Sequence, residues 1–257
     1  MSIQILSLGL KNLPTDFPLS VYLQQHSWGF HAISSRCNES ETTELSQFIT
    51  NQKNLTELMQ LIKKAKQKKA NLWPHLAGPV NFMDQNTTTK EFSEILSSYA
   101  SALSQMQQAG TEWVLCDLDQ SINQAQMLEA YQTLAISIRG LNLMLVTYHK
   151  LTAGDMQTLC NLPVQGLHIN LHENQDQIDD LLYQLPQNTV LSLGIEPNYE
   201  HDLSDSLYHI ATEIGLSRMM LAPNRALTVT NMPQVSNQLQ QLSTILVNQT
   251  KHSKTAT

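Results

Sequence analysis

The amino-acid sequence predicts an α/β protein that folds as a single (β/α)8 TIM-like barrel. Eight short apolar runs alternate with longer segments of helical spacing, which is typical of repeated βαβ units. The runs are continuously apolar, as expected for strands that are covered on both faces. The chain has 257 residues, close to the usual length of such a barrel. Because no run is followed by Gly-x-Gly-x-x-Gly, an open dinucleotide-binding sheet is the weaker alternative.

Each apolar run is a predicted strand, and the run VLSLGI shows the pattern best. The eight runs are Ile3–Leu10, Phe30–Ser34, Asn71–Val80, Trp113–Leu118, Leu141–Tyr148, Gly166–Leu171, Val190–Ile195 and Met219–Ala222.

Helical stripes separate the runs. Apolar residues recur every three or four positions from Phe92 to Met106, and Thr88 with Glu91 has capping-box spacing just ahead of them. Further stripes are Leu128–Ile138, Ile178–Leu185, Leu203–Ile214 and Val235–Val247. Three helices are expected to end at glycines that adopt the left-handed conformation, namely Gly110, Gly140 and Gly215.

One barrel is predicted over residues 1–247, without a second domain. Residues 38–69 are expected to interrupt the rhythm as an irregular polar and helical insertion, whose helix Leu55–Ala65 runs into the lysine-rich KKAKQKK. We interpret these lysines as a solvated helix end, which the helix dipole favours, and a nucleic-acid or lipid patch is the alternative. Residues 248–257 are predicted to be a frayed polar tail.

Composition excludes several classes of protein. The 15 Lys and Arg against 22 Asp and Glu give a net charge of −7, which argues against a nucleic-acid binder. No apolar run is long enough for a membrane span, and the N-terminus does not resemble a signal peptide. Three scattered cysteines, Cys37, Cys116 and Cys160, fit a reducing compartment. We therefore expect a cytoplasmic protein that contacts neither membrane nor nucleic acid.

In a barrel of this kind the functional groups gather where strands end at the carboxyl edge. The catalytic candidates by that rule are Asp117, His149 and Glu196, and His149 with Glu196 could form an acid–base pair. Gly78 ends the third strand and could let a ligand approach the backbone closely. The candidate substrate-binding residues at strand ends are Gly78, Asp117, His149, Asn170 and Asn224.

The sequence does not predict a metal site. Cys116, His149, His172 and Glu196 lie near strand ends, but no Cys-x-x-Cys pair supports them as ligands. His168 lies inside a strand, so we interpret it as a hydrogen-bonded core histidine. A Gly-x-Ser-x-Gly elbow and a glycine-rich phosphate loop are both missing, which disfavours serine nucleophiles and phosphorylated substrates.

Residues Leu76 to Val229 resemble the N-terminal barrel of cobalamin-independent methionine synthase. The most specific resemblance is GPVNF followed by EWVLCD. All resembling segments keep the family's order and spacing, and they are LAGPVNF, AGTEWVLCDLD, LVTYH, LPVQGLHINL, VLSLGI and LAPN.

The resemblance implies a role in methionine or one-carbon metabolism. Full-length members resemble two fused barrels: the second holds a zinc ion that activates homocysteine, and methyltetrahydrofolate binds between the barrels. The first barrel directs basic residues toward the folate tail, and Lys11 is the residue at that place here. The zinc ligands do not match, since His149 lacks a cysteine two residues later. The resemblance therefore implies that zinc is held only by a partner barrel and that no cofactor belongs to this chain.

Three hypotheses follow. The chain could bind folate or a methyl donor beside a separate zinc-bearing barrel, without activity alone. It could instead be a pseudoenzyme, a non-catalytic barrel that binds a small molecule or regulates a partner. Finally, it could catalyse a reaction of its own at the barrel mouth with Asp117, His149 and Glu196. If active, it would be a methyltransferase similar to methionine synthase.

Overall fold

Eight parallel strands form a closed barrel, as the sequence predicts. The computed structural model describes residues 3–7, 32–36, 52–83, 86–118, 124–196, 203–225 and 231–255, and for 32–36 it describes the backbone. Each strand pairs in parallel with its neighbour in sequence, and the eighth pairs with the first through Gln4 with Met220. This arrangement confirms the (β/α)8 fold.

The strands agree with the predicted runs to within a few residues. They are β1 (Gln4–Ser7), β2 (Ala32–Arg36), β3 (Leu72–Ala77), β4 (Trp113–Asp117), β5 (Asn142–Val146), β6 (Gly166–Asn170), β7 (Val190–Ile195) and β8 (Met219–Pro223). A 3₁₀ turn, Pro79–Phe82, follows β3.

Helices follow β2 to β8 in the described residues. They are α1 (Gln52–Gln67), α2 (Thr89–Ala109), α3 (Gln124–Ser137), α4 (Ala153–Cys160), α5 (Ile178–Gln184), α6 (Leu203–Ile214) and α7 (Met232–Thr255). A single helical turn, Leu171–Asn174, lies directly after β6.

The predicted helix signals are present in the structure. Thr88 and Glu91 form the capping box of α2, in which the Thr88 hydroxyl accepts from the Glu91 amide. Helix α2 ends at Gly110 with φ of 108°, a conformation that costs glycine little because it has no Cβ. Gly140 and Gly215 also have positive φ. Gly140 lies beyond the end of α3 at Ser137, and Gly215 combines its positive φ with ψ of 147°, outside the left-handed helical region, so the full prediction is confirmed only at Gly110.

The strands carry two apolar layers. Outward side chains such as Leu143, Leu167 and Leu191 pack with the helices in one large core. Inward side chains form a second, smaller cluster that fills the lumen, and its buried members are Leu6, Trp73, Leu115, Met144, Val146, Met220 and Ala222. Because both faces are buried in the strands whose side chains are described, their runs are continuously apolar in sequence.

The structure corrects the interpretation of residues 38–69 as an irregular insertion in the second half of that segment. Residues 52–67 form α1, the regular crossover helix between β2 and β3, because Leu55, Leu58 and Ile62 are buried along one face. The lysines near its end, such as Lys64 and Lys68, are exposed, as expected for a solvated helix end. Residues 38–51 lie outside the described residues.

The predicted C-terminal tail also differs from the structure. Helix α7 continues to Thr255, past the expected boundary at 248, because no Gly or Pro follows Val247 to end it. Within the described residues, no helix has both the length and the apolar character needed to cross a membrane.

Candidate functional site

The lumen changes from apolar to polar toward the carboxyl ends of the strands. On β4 the inward residue Leu115 is succeeded at the next inward position, two residues later, by Asp117. In the same way the inward Ala222 of β8 is succeeded by Asn224, directly after the strand. On β3 Trp73 is followed by His75. The polar side chains therefore collect in the upper lumen, at the edge where barrels bind ligands.

His75 and Asp117 form a close pair in the upper lumen. The Nε2 atom of His75 lies 2.6 Å from Oδ1 of Asp117. The His75 side chain is fully buried, whereas the Asp117 side chain is 23% exposed. Asp117 therefore has one face toward His75 and another toward the mouth.

His168 lies inside the lumen on β6 and is fully buried. Its Nδ1 atom is 3.0 Å from the Ser192 hydroxyl, which confirms a hydrogen-bonded buried histidine. Burial lowers the pKa of His168 to about 3, with His75 adding to the decrease and Asp117 opposing it. The imidazole is therefore neutral at physiological pH, and its Nε2 atom is without a hydrogen-bond partner in the described structure.

Two asparagines complete the polar group. Asn170 ends β6 and donates from Nδ2 to the Tyr148 carbonyl at 3.4 Å. Asn224 follows β8, and its backbone amide donates to the Ile195 carbonyl at 2.9 Å. Both side chains are more than nine-tenths buried, and within the described residues their Oδ1 atoms accept no hydrogen bond.

These three buried, unpartnered atoms carry a cost to stability. A buried polar group left without a partner destabilises a protein by about 1–3 kcal/mol. Native interiors contain few such atoms, and each calls for an explanation such as a functional role or a bound water or ion. We define the upper lumen as His75, Asp117, His168, Asn170 and Asn224.

The structure separates His149 from the upper lumen. Val146 and Tyr148 are on the inward side of the strand, so His149 faces outward, where its ring lies 3.3 Å from the Thr147 hydroxyl. It lines a cavity of about 310 Å³ with Asp155 on α4 and Gln124 on α3. Glu196 follows β7, two strands away. The expected acid–base pair between His149 and Glu196 is therefore not formed.

Gly78 is also placed differently from the expectation. A Cβ there would lie 2.8 Å from the Asp117 carbonyl oxygen and 2.9 Å from the Tyr131 hydroxyl. The Gly78 amide donates to that same carbonyl at 2.8 Å. Glycine is thus required by close packing within the protein, which leaves no room at this point for a ligand. Lys11 lies outside the described residues.

Cys116 cannot serve as a zinc ligand in its present environment. It faces outward on β4, where its Sγ lies 3.5 Å from the Tyr99 hydroxyl in the helix-facing core. Burial raises the pKa of Cys116 to about 12, so it is a neutral thiol, whereas zinc binds the thiolate. The residues present therefore do not fit a thiolate–zinc site. In the described residues, no group of three His, Cys, Asp or Glu side chains could hold a metal ion.

The sequence placed Asp117, Asn170 and Asn224 at strand ends, and in the structure they lie in the upper lumen; it did not single out His75 and assigned His168 to the core. Both histidines lie within strands, where continuous apolar runs hide the inward face. The signal was the period of two along a strand. Once Asn170 is assigned to the mouth, His168 must share its face. His75 had no such signal, because the sequence prediction placed Gly78, three residues later and on the other face, at the end of its strand.

Comparison with known proteins identifies sequence relatives. The family model described as cobalamin-independent synthase, N-terminal domain, matches residues 41–211. A 5-methyltetrahydropteroyltriglutamate–homocysteine methyltransferase of Caulobacter vibrioides is 31% identical over 60% of this chain. One from Yersinia enterocolitica is 33% identical over 48% of the chain. The matches span 22% and 17% of those relatives, about one fifth of their length.

Two solved structures illustrate the similarity in fold. A xylose isomerase domain protein from Alicyclobacillus acidocaldarius matches with a TM-score of 0.60 and 12% identity, over 95% of this chain and 99% of that one. D-Psicose 3-epimerase from Clostridium cellulolyticum matches with a TM-score of 0.58 and 10% identity, over 98% and 99%. At such identities the similarity concerns the fold alone.

Proposed function

Since this chain belongs to the family of cobalamin-independent synthase N-terminal domains, we propose that it is a ligand-binding barrel in methyl transfer to homocysteine. In this proposal it binds folate or another methyl donor at its mouth. A separate zinc-bearing barrel activates the homocysteine thiol, and this chain does not methylate homocysteine alone.

The observation that carries the proposal is the pair of unpartnered Oδ1 atoms of Asn170 and Asn224. They lie at the carboxyl ends of β6 and β8, the edge at which barrels of this type bind ligands. The relatives' names supply the candidate molecules, 5-methyltetrahydropteroyltriglutamate and homocysteine. The neutral Cys116 thiol supports placing thiolate activation on a partner, because this buried cysteine offers no metal-binding thiolate.

Titration calorimetry with 5-methyltetrahydropteroyltriglutamate and with homocysteine tests the proposal. We expect one of them to bind, and Asp117→Asn to weaken binding about tenfold because a charge-assisted contact is lost. Glu112→Gln is the matched control, because its exposed side chain precedes β4, at the opposite end of the barrel from the mouth. If neither molecule binds at about 1 mM, the proposal is wrong.

A methylation assay tests the partner. The chain alone should give no methionine, and a zinc-bearing synthase barrel added to it should give activity that the partner alone does not reach. A partner barrel that is equally active without this chain would contradict that part of the proposal.

A pseudoenzyme that binds a small molecule for regulation is the second candidate. It is favoured by the deep burial of His168 Nε2, because an atom closed to solvent suits retention of a ligand better than turnover. This candidate predicts ligand binding with no methylation in the presence of any partner. Independent chemistry by Asp117, His149 and Glu196 has less support, since His149 faces the outer cavity.

A further inference from the structure

We infer that His75 is a positioning residue for ligand binding: it holds the carboxylate of Asp117 at the mouth of the barrel as an anion, where that carboxylate meets a cationic N–H group of the ligand. The inference rests on the proposed function, because it concerns the ligand of the same mouth, and it adds a residue that acts from behind the contact surface. It is carried by the 2.6 Å contact between Nε2 of His75 and Oδ1 of Asp117.

The strand register places His75 behind Asp117 as seen from the mouth. Strands β3 and β4 pair in parallel, with His75 opposite Leu115 and Ala77 opposite Asp117. His75 therefore lies one inward position below Asp117, and its ring reaches up the barrel to the carboxylate. The His75 side chain has no exposed surface, whereas the Asp117 side chain is 23% exposed. A ligand at the mouth can therefore contact Asp117 but not His75.

The protein fixes both ends of this pair. The Asp117 carbonyl oxygen accepts from the Gly78 amide at 2.8 Å and from Nδ2 of Asn81 at 3.2 Å, which holds the backbone. The partly exposed side chain would otherwise be able to change rotamer, and the contact with His75 selects one orientation. The next inward residue below His75 is Trp73 of the packed apolar cluster, so the protein itself fills the layer beneath the histidine.

The pair leaves a negative charge at the mouth. A separation of 2.6 Å between nitrogen and oxygen is a hydrogen bond, so one proton lies between His75 and Asp117. Imidazole is a stronger base than a carboxylate, so the proton stays on Nε2 and Asp117 accepts. On β6, burial lowers the pKa of His168 to about 3, so this ring adds no positive charge. An ionised carboxylate only accepts hydrogen bonds, and its strongest partners are cations that carry N–H groups.

Three substitutions of His75 separate positioning from packing. Glutamine can place its amide nitrogen near the position of the histidine Nε2, asparagine is one methylene shorter, and leucine has no donor. The readout is the ¹³Cγ signal of Asp117 without ligand at pH 7, assigned by its loss in Asp117→Asn. We expect an ionised carboxylate in the wild type, a similar signal in His75→Gln, and a shifted signal in His75→Asn and His75→Leu.

An uncharged Asp117 carboxyl group in the wild type would overturn the inference, as would a His75→Gln signal shifted as far as that of His75→Asn. His209→Asn is the matched control, because His209 also pairs with an aspartate, Asp179, at 2.8 Å, but on the outer surface of the helices. It should leave the Asp117 signal unchanged. If His75→Leu folds poorly, His75→Asn provides the comparison with His75→Gln.

Two small cations test recognition at the mouth. Methylammonium carries N–H groups, and tetramethylammonium has the same charge without them. We expect methylammonium to shift the Asp117 signal of the wild type and of His75→Gln at concentrations about tenfold below those needed in His75→Asn. Tetramethylammonium should also require about tenfold higher concentrations in the wild type. Equal responses in all variants, equal responses to both cations, or no response to methylammonium would overturn the inference.

The two proposals fail separately. If the Asp117 signal and the methylammonium response behave as expected while neither 5-methyltetrahydropteroyltriglutamate nor homocysteine binds, the positioning role of His75 stands and the proposed function is wrong. If one of those molecules binds with the same affinity in wild type, His75→Gln and His75→Asn, the proposed function stands and the positioning role is wrong.

Discussion

The lower and upper halves of the lumen are built from the same strands but have opposite chemistry. In the lower half Trp73 and Trp113 stack with ring centroids 5.2 Å apart, and Leu115 is completely buried in the same cluster. In the upper half His168 and Asn224 are buried to a similar degree, yet each has an unpartnered atom.

The difference indicates a division of labour along the strands. The lower half closes the barrel with packed apolar side chains, and each buried side chain there stabilises the fold. The upper half retains polar groups at a cost to stability. That cost is expected where function requires groups that folding alone does not need. Substitutions in the two halves should therefore change the free energy of unfolding by different amounts and in opposite directions.

The largest effect is expected in the lower half. Leu115→Ala should lower the free energy of unfolding by about 2–5 kcal/mol, because it removes buried methyl groups and leaves a cavity. Urea denaturation measures the loss. Ile136→Ala is the control, since Ile136 is 74% exposed on α3 and should change stability by less than about 0.5 kcal/mol. A loss below about 1 kcal/mol for Leu115→Ala would show that the lower lumen is loosely packed.

A smaller effect is expected from the pH dependence of His168. Its pKa is about 3 when folded against 6.5 for free histidine, so between these values the unfolded chain binds the extra proton. The contribution of the neutral His168 to the free energy of unfolding is complete above pH 6.5 and is lost as the pH falls toward 3. Between pH 7 and 5 this amounts to about 2 kcal/mol.

The double variant His168→Phe with Ser192→Ala removes the titrating ring and its hydroxyl partner together. Its free energy of unfolding should fall about 2 kcal/mol less than wild type between pH 7 and 5. Thr212→Val, which changes a hydroxyl on the exposed side of α6 and no titrating group, should leave the wild-type pH dependence intact. A double variant with the same pH dependence as wild type would mean that His168 is protonated in the fold.

The smallest effect concerns a buried polar group that has its partners. The Thr111 hydroxyl lies below the barrel, 3.0 Å from the carbonyl oxygens of Leu72 and Trp113. Thr111→Val keeps the shape and removes the donor, so stability should fall by about 1 kcal/mol. Thr212→Val is the control, because the Thr212 hydroxyl donates to the Tyr208 backbone carbonyl on the exposed side of α6. A stabilised Thr111→Val variant would mean that the partners do not offset the burial of this hydroxyl.

The sequence predicted the barrel because its signals are local. Apolar runs, the Thr88–Glu91 capping box and glycines such as Gly110 depend on neighbouring residues alone. Helix α1 was interpreted as part of an insertion because the polar stretch before it obscured the alternation of strands and helices. Its apolar stripe at Leu55, Leu58 and Ile62 was sufficient for a crossover helix.

The site was predictable only in part because it depends on which way each side chain faces. Asp117, Asn170 and Asn224 are polar residues at the ends of apolar runs, so position alone identified them. His149 is also at a strand end, but it directly follows the inward Tyr148 and therefore faces the outer cavity. When both faces of a strand are buried, its apolar run does not show which side chains face the lumen and which face the helices.

The most direct test of the division between the two halves is the stability of Asn224→Leu at pH 7, measured by urea denaturation without ligand. If the Asn224 amide is retained for a ligand, its replacement removes an unpartnered buried acceptor, and the free energy of unfolding should rise by about 1 kcal/mol. A fall of about 1 kcal/mol or more would show that Asn224 stabilises the fold, and would contradict a binding role for the upper lumen.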